Sequence, residues 1–330
     1  MPNRSGYLIA TKGAPQAGKG KMPGMTSAWT RITPTPDALG ESPFWHPQEQ
    51  RLYWVDIPGR RVARVAVDGL QAQGAVEYWP LDEEPGCIAP VQGGGLVLAL
   101  RSGIHLARAW GGPLQLLAAA PYDTRKQRFN DGKCDPQGRF WAGSLYEPKD
   151  QALGVLYMLD AQGLHERMDG VTTANGLAWS PDGRTAYWAD TAAHQVRAFD
   201  FDPASGQLSN GRVFHQMPPK SPGWAWGSAT PYGGRPDGAA VDAEGCYWSA
   251  QYEGGRLLRL SPKGEVLAEV PMPVMCPTMP CFGGPDLKTL FVTTARHGRS
   301  EAELAQYPDS GCVFAMRLAV AGLPVNTCRP

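Results

Sequence analysis

The sequence predicts an all-β fold, a six-bladed β-propeller whose four-stranded antiparallel blades surround a central channel. A unit made of a turn and a short aromatic strand recurs along the chain, and its clearest copies carry an aromatic-Trp pair at residues 53–54, 140–141, 187–188 and 247–248. No long segment has the periodicity of an amphipathic helix. Repeated short strands between turns, without helices, are typical of a propeller.

The spacing of the repeat gives the number of blades. Equivalent points in six copies, two of them weaker, are Trp54, Val97, Trp141, Trp188, Trp248 and Phe291. The intervals between them are 43, 44, 47, 60 and 43 residues, and one four-stranded blade takes roughly 40–45 residues. Turns such as Pro181-Asp182-Gly183 suit tight hairpins, because glycine supplies the positive φ that they need.

We expect one domain. Residues 1–28 are rich in Gly, Lys, Pro and Ser without a periodic pattern, which indicates a flexible leader or tag, and residues 29–330 form the propeller. The 60-residue interval is about 15 residues longer than its siblings, and the extra residues fall within 214–235. This loop carries Trp224 and Trp226, so it is a lid over a ligand site, a contact surface, or an ordinary loop whose rings pack on the blade.

Composition excludes several partners. The chain has 31 basic and 31 acidic residues, so it lacks the basic balance expected of a protein that binds nucleic acid or anionic membranes. No run approaches the ~20 apolar residues of a membrane span, and no signal peptide is recognisable. We therefore expect a cytoplasmic protein that is monomeric by default. Its seven cysteines include no CxxC pair; Cys276 and Cys281 are the closest two, and we expect buried free thiols rather than disulfides.

Four oxygen-bearing side chains occupy nearly the same place in four blades. Glu41 and Asn175 lie 13 residues before the aromatic marker of their blade, and Asn130 and Asp237 lie 11 residues before theirs. Because the innermost strands line the channel, these side chains are expected to form a ring near the axis. Asn and Asp before Gly are also common in turns, but turns do not favour Glu, and four matched positions favour a site.

Such a ring is costly to bury unless a cation neutralises it. Hard divalent cations prefer oxygen ligands, so the sequence predicts one bound metal, and oxygen ligation does not discriminate among Ca²⁺, Mn²⁺, Zn²⁺, Mg²⁺ and Fe²⁺. Arg128 lies two residues before Asn130 and would point the same way along a strand. It is either a solvated arginine or a group that reaches the channel mouth.

Six segments form a recognisable combination: 39–43 (Leu-Gly-Glu-Ser-Pro), 52–56 (Leu-Tyr-Trp-Val-Asp), 128–136 (Arg-Phe-Asn-Asp-Gly-Lys-Cys-Asp-Pro), 175–182 (Asn-Gly-Leu-Ala-Trp-Ser-Pro-Asp), 235–239 (Arg-Pro-Asp-Gly-Ala) and 281–286 (Cys-Phe-Gly-Gly-Pro-Asp). Together they resemble the family of senescence marker protein, gluconolactonase and luciferin-regenerating enzyme, and the likeness spans about residues 38–318.

The resemblance implies a six-bladed propeller with one divalent metal at the channel mouth. The metal ligands that it implies are Glu41, Asn175 and Asp237, and Asp237 also matches the family's general base. Arg128 and Asn130 match substrate contacts. A second acidic residue that holds the sugar in animal members is replaced by proline here, with Glu147 beside it as the substitute substrate contact.

These residues predict a metal-dependent hydrolase that opens sugar lactones of the gluconate, xylonate or arabinonate type to aldonic acids. The metal would polarise the lactone carbonyl, and Asp237 would position or deprotonate the attacking water. Three alternatives remain at this stage. The chain could hydrolyse a non-sugar lactone or an organophosphate, act as a non-catalytic binding propeller, or catalyse a dehydration or isomerisation at the same site.

Overall fold

A computed structural model describes residues 29–330 and confirms the predicted propeller; the predicted leader at 1–28 lies outside the described residues. Six four-stranded antiparallel sheets are present. The strands in chain order are β1 (Thr30–Arg31), β2 (Gly40–His46), β3 (Arg51–Asp56), β4 (Arg61–Asp68), β5 (Gln71–Pro80), β6 (Pro85–Pro90), β7 (Leu96–Leu100), β8 (Gly103–Ala107), β9 (Leu114–Ala119), β10 (Gln127–Cys134), β11 (Phe140–Tyr146), β12 (Gly154–Asp160), β13 (Gly163–Val171), β14 (Ala174–Trp179), β15 (Thr185–Asp190), β16 (Gln195–Phe201), β17 (Leu208–Gln216), β18 (Arg235–Val241), β19 (Tyr247–Tyr252), β20 (Arg256–Leu260), β21 (Val266–Pro271), β22 (Pro277–Gly283), β23 (Thr289–Thr294) and β24 (Phe314–Arg317).

The two ends of the chain close the ring of blades. Blades 1 to 5 are β2–β5, β6–β9, β10–β13, β14–β17 and β18–β21, each built from consecutive strands. Blade 6 takes β22, β23 and β24 from the C-terminal part, and β1 is its outermost strand. Thr30 pairs with Ala315 and Arg31 with Phe314. This shared sheet joins the first and last blades.

The recurring aromatic marker is explained by its place in the blade. All six markers lie on the second strand of a blade and are buried. In blade 3 the indole of Trp141 donates to Asp135 Oδ2 at 2.9 Å, while Asp135 Oδ1 accepts the amides of Gln137 and Arg139. One carboxylate thus closes the turn and binds the tryptophan, and Asp242 does the same for Trp248 in blade 5.

Each innermost strand is irregular at one matched place. In β18 the pairing passes from Pro236 opposite Gln251 to Ala239 opposite Ser249, so that Asp237 and Gly238 lie in a bulge. The same interruption occurs in β2, β6, β10, β14 and β22. A bulge breaks the alternation of a strand and redirects side chains, which places the predicted ring residues at the start of the channel.

The C-terminal segment closes the opposite end of the channel. Residues 323–326 line a cavity of about 260 Å³ together with the ends of the innermost strands. Cys328 of this segment forms a disulfide with Cys134 of β10, with their Cα atoms 5.7 Å apart. The expectation of free thiols throughout was therefore wrong for this pair, because cysteines 194 residues apart meet only when the chain end returns to blade 3. The other five cysteines, including Cys276 and Cys281, are free and buried.

The tryptophan loop, residues 217–234, connects β17 to β18 on the face where the innermost strands begin. The ring of Trp224 lies 4.8 Å from that of Tyr232, and the ring of Trp226 lies 6.3 Å from that of Tyr307. Both indoles are half-buried. A short helix, α1 (Glu301–Gln306), precedes Tyr307; it is too short to span a membrane, and the described chain has no other helix.

Candidate active site

The structure brings the four predicted ring residues together at one end of the channel. Glu41, Asn130, Asn175 and Asp237 come from blades 1, 3, 4 and 5 and are 6%, 7%, 3% and 7% exposed. At the bulge of their innermost strand, the remaining two blades carry no acidic or amide side chain. Blade 2 has Gly86, where an added Cβ would clash with the Phe129 carbonyl oxygen, and blade 6 has Thr278, whose hydroxyl donates to the Gly40 carbonyl.

Hydrogen bonds fix the orientation of both amides. Asn175 Nδ2 donates to Thr191 Oγ1 at 2.7 Å, and this hydroxyl donates to the Pro236 carbonyl at 2.7 Å. Asn175 Oδ1 accepts from Asn130 Nδ2 at 2.8 Å. With its nitrogen held by Thr191, Asn175 presents only its oxygen as a free acceptor, and a carbonyl-type oxygen has a second lone pair for a cation.

The two carboxylates of the ring lack a positive partner. Within residues 29–330 no arginine or lysine forms an ion pair with Glu41 or Asp237. Burial, followed by the charges of Asp237 and Asp131, raises the pKa of Glu41 well above its usual value. Burial raises the pKa of Asp237 to about 7, against the opposing charge of Arg235. Such shifts are the expected sign of negative charge that the protein alone does not neutralise.

These donors fit a hard divalent cation. Two carboxylates and one amide oxygen are the ligands that such cations prefer. No group of three His, Cys, Asp or Glu side chains able to hold a metal occurs in the part of the chain that the structure describes, so the amide of Asn175 is the third donor of this set. A zinc centre of the His or Cys type has no counterpart at this site.

Arg128 reaches the ring rather than the solvent. Its Nη1 donates to Asn130 Oδ1 and to the Phe129 carbonyl, both at 2.9 Å. Its side chain is only 13% exposed, and its Nε lies 3.8 Å from Glu147 Oε1. The sequence allowed either a solvated arginine or one that reaches the channel mouth, and the structure places Arg128 at the channel mouth.

Glu147 lies at the rim, in the loop that follows β11. Both of its carboxylate oxygens accept from Arg101, at 2.8 and 2.9 Å. Its side chain is 38% exposed. The contact with Arg101 orients Glu147 beside Arg128, and the remaining lone pairs of its oxygens stay available.

Several residues at this end of the channel were missed by the sequence analysis. Asp131 is buried below the ring, and its Oδ1 has no hydrogen-bond partner while Oδ2 accepts the Leu177 amide at 2.9 Å. Burial raises the pKa of Asp131, and the charge of Lys133, two residues further along β10, offsets part of this rise. Both belong to the segment 128–136 that carries the family resemblance. Thr191 and Lys149 lie in loops after second strands, and no repeat position marks them.

The comparisons with known proteins identify the family of the chain. The profile of the SMP-30/Gluconolactonase/LRE-like region matches residues 39–296, from just before Glu41 to beyond the last innermost strand. The chain belongs to this family. A 6-deoxy-6-sulfogluconolactonase from Pseudomonas putida is 46% identical over 87% of this chain and 94% of its own length. Regucalcin from Danio rerio is 37% identical over 87% of this chain and 93% of its own length.

Solved structures of SMP-30/gluconolactonase/LRE-like proteins superpose on the whole propeller. Regucalcin from Agrobacterium tumefaciens, described as a calcium-binding protein, has a TM-score of 0.83 at 25% identity and covers 92% of this chain and 98% of its own. Family membership makes the chain a relative of sugar lactonases of the gluconolactonase type. It thus supports a small-molecule sugar lactone as the class of partner for the site.

Proposed function

We propose that the chain is a divalent-metal-dependent lactonase that hydrolyses aldonolactones of the gluconolactone type to aldonic acids. The observation that carries the proposal is the pair of buried carboxylates without a positive partner, Glu41 and Asp237, beside the oriented amide of Asn175. Arg128 and Asn130 lie next to this set and are joined to each other. A scaffold propeller has no need of such a cluster, since its burial is costly without a ligand.

The relatives support the same chemistry. The protein from P. putida is named for the lactone of a substituted gluconic acid, and the regucalcin from A. tumefaciens is described as binding calcium. In this chain Glu41, Asn175 and Asp237 would hold the cation, which supplies a Lewis acid for a carbonyl oxygen. Oxygen donors alone leave its identity among Ca²⁺, Mn²⁺, Zn²⁺, Mg²⁺ and Fe²⁺ open to measurement.

The side chains have distinct parts in the reaction. Asp237 accepts a proton from the attacking water, whose oxygen forms a bond to the lactone carbonyl carbon. The ring C–O bond then breaks, and the same proton passes to the departing alkoxide, so that a hydroxyl and a carboxylic acid result. Arg128 donates hydrogen bonds to the sugar hydroxyls and holds the carbonyl near Asp237. Asn130 Nδ2 already donates to the Ala174 carbonyl and to Asn175 Oδ1, so Asn130 contributes its Oδ1 as an acceptor for a sugar hydroxyl. Glu147 accepts from a further hydroxyl at the rim.

Proton release from aldonolactones tests the proposal directly. Protein stripped with a chelator should not hydrolyse glucono-1,5-lactone above the rate in buffer, and one or more of the five cations should restore turnover. A panel of gluconate-, xylonate- and arabinonate-type lactones, with non-sugar lactones and a phosphotriester beside them, would identify the substrate class. Hydrolysis only of the non-sugar compounds, or of none by folded protein that binds a metal, would overturn it.

The hydroxyl of Thr191 is expected to set the metal affinity indirectly. Thr191→Val removes the acceptor that holds Asn175 Nδ2, so the amide can rotate and the cation loses an oriented ligand. We expect the Kd for the activating cation to rise about 10–100-fold, the usual effect of losing a group that orients a ligand. Titration calorimetry on the stripped protein measures it. Thr191→Ser keeps the hydroxyl and should stay within about threefold of the wild type; equal losses in both variants would contradict the role.

A further inference from the structure

We infer that Arg101 is a positioning residue of this site, which holds Glu147 at the rim and thereby leaves Arg128 free to bind the substrate. Arg101 lies in the turn between β7 and β8 of blade 2, whereas Glu147 and Arg128 belong to blade 3. The inference rests on the proposed function, because it concerns how side chains proposed to hold the lactone are oriented. It gives blade 2 a part in the site, although the innermost strand of this blade has no acidic or amide side chain at its bulge.

The guanidinium of Arg101 is held by four groups around it. Its Nε donates to Glu84 Oε2 at 2.9 Å, and Glu84 lies just before the innermost strand of the same blade. Its Nη1 donates to the Thr124 carbonyl at 2.9 Å and to the Gln127 carbonyl, at the start of β10, at 3.3 Å. The fourth group is Glu147. The side chain of Arg101 is 22% exposed, so these contacts fix it between blades 2 and 3.

Arg101 binds Glu147 through one hydrogen bond to each carboxylate oxygen. Its Nη1 donates to Oε2 at 2.9 Å, and its Nη2 donates to Oε1 at 2.8 Å. A paired contact of this kind fixes the plane of the carboxylate as well as its distance. The hydrogen bonds from Arg101 lower the pKa of Glu147, so this group is ionised at neutral pH.

Arg128 is the second cation beside Glu147. Its Nε lies 3.8 Å from Glu147 Oε1, which is beyond hydrogen-bond distance. Its Nη1 donates to Asn130 Oδ1 and to the Phe129 carbonyl, both at 2.9 Å. Its Nε and Nη2 form no hydrogen bond within residues 29–330. These two nitrogens are therefore the donors that Arg128 can offer to a sugar hydroxyl.

Loss of the Arg101 guanidinium would leave Glu147 with Arg128 alone. Among residues 29–330, Arg101 and Arg128 are the cations within 4.0 Å of Glu147. An approach of about 1 Å would bring Glu147 and Arg128 into a charge-assisted hydrogen bond. This bond would occupy the free donors of Arg128, so the lactone would bind more weakly. The proposed metal ligands contact neither Arg101 nor Glu147 and would stay in place.

Arg101→Gln in the metal-loaded enzyme tests this role with the aldonolactone that the wild type hydrolyses best. We expect KM to rise about 10-fold, the size of one hydrogen bond to a charged group. The reacting centre is untouched, so kcat and the Kd for the activating cation should stay within about threefold of the wild type. Arg101→Lys keeps the charge but not the planar fork of donors, so it should fold like the wild type and still raise KM at least ~threefold.

A double-mutant cycle with Glu147→Gln shows whether Arg101 acts through Glu147. This substitution removes the charge that would capture Arg128, so adding Arg101→Gln should raise KM by less than about threefold. Equal rises of KM in both backgrounds would overturn the inference, as would an unchanged KM in both Arg101 variants. A loss of kcat or of metal affinity beyond about tenfold, with a lower Tm, would also overturn it, because a merely structural role has these effects.

Arg60→Gln is the matched control. The side chain of Arg60 is 55% exposed, and its Nη2 lies 3.9 Å from Glu84, the carboxylate that Arg101 also binds, but it makes no contact with Glu147. We expect this variant to keep the KM of the wild type. An unchanged KM in the Arg101 variants of an active lactonase would leave the proposed function intact, whereas no turnover of any lactone by the wild type would overturn that function itself.

Discussion

Asp237→Asn is expected to lower kcat for lactone hydrolysis by about 10³-fold, within the range that removal of a general base produces. An amide has nearly the shape of the carboxylate but accepts no proton from water. The side chain is buried at the matched bulge of β18, where burial and the neighbouring Asp131 disfavour negative charge. The measurement is proton release from glucono-1,5-lactone at a saturating concentration of the activating metal.

Because Asp237 is also a proposed ligand, the variant has to be assayed with its metal occupancy known. Titration calorimetry gives the Kd of the variant, and the loss of kcat at full occupancy then reports on the base alone. Asp150→Asn is the matched control, since this exposed carboxylate lies on the rim loop and has no hydrogen bond among the described residues. A kcat of Asp237→Asn within tenfold of the wild type would show that Asp237 is not the general base.

The fold was predictable because a buried aromatic or aliphatic marker recurs on the second strand of every blade. In blades 3 and 5 the marker is also tied to the preceding turn, because the turn carboxylates of Asp135 and Asp242 accept from the indole six residues later. The closure of the ring was not predictable, because β1 pairs with β24 across almost the whole chain. The disulfide between Cys134 and Cys328 was not predicted for the same reason, because the sequence does not show which blade the C-terminal segment contacts.

The ring of the candidate site could be recognised in the sequence because its members lie 11 or 13 residues before the marker of their blade. Its supporting groups follow no such rule. Thr191 contacts Asn175 from the loop after β15, and Lys149 lies in the loop after β11. Loops vary in length between blades, so their residues have no equivalent position to count from. Asp131 lay inside a recognised segment, but only the structure shows that one of its oxygens has no partner.

Glu41→Gln is expected to separate metal binding from the stability of the fold. Glu41 is 6% exposed, and its Oε2 accepts only the amide of Ser42, at 3.2 Å. With a cation at 100 times its Kd, the wild-type protein gains about 2.7 kcal/mol. At roughly 2.1 cal/mol/K of unfolding entropy per residue, this corresponds to a rise in Tm of about 4 °C for a chain of 330 residues. The variant loses a charged ligand, so its Kd should rise at least ~100-fold and its Tm should rise by less than ~1 °C at the same metal concentration.

Without bound metal, Glu41→Gln should have a higher Tm than the wild type. In the wild type, the carboxyl groups of Glu41, Asp131 and Asp237 are buried near one another, which destabilises the metal-free protein. The glutamine variant has one carboxyl group fewer, so its metal-free form should have the higher Tm. A residue with a merely structural role would lower the Tm in both states. Glu265→Gln, on an exposed turn of blade 5, is the matched control and should change neither the apo Tm nor the metal-induced shift. A Glu41→Gln variant that binds the cation as tightly as the wild type would exclude Glu41 as a ligand, because a neutral amide at this position cannot replace the charge that the cation requires.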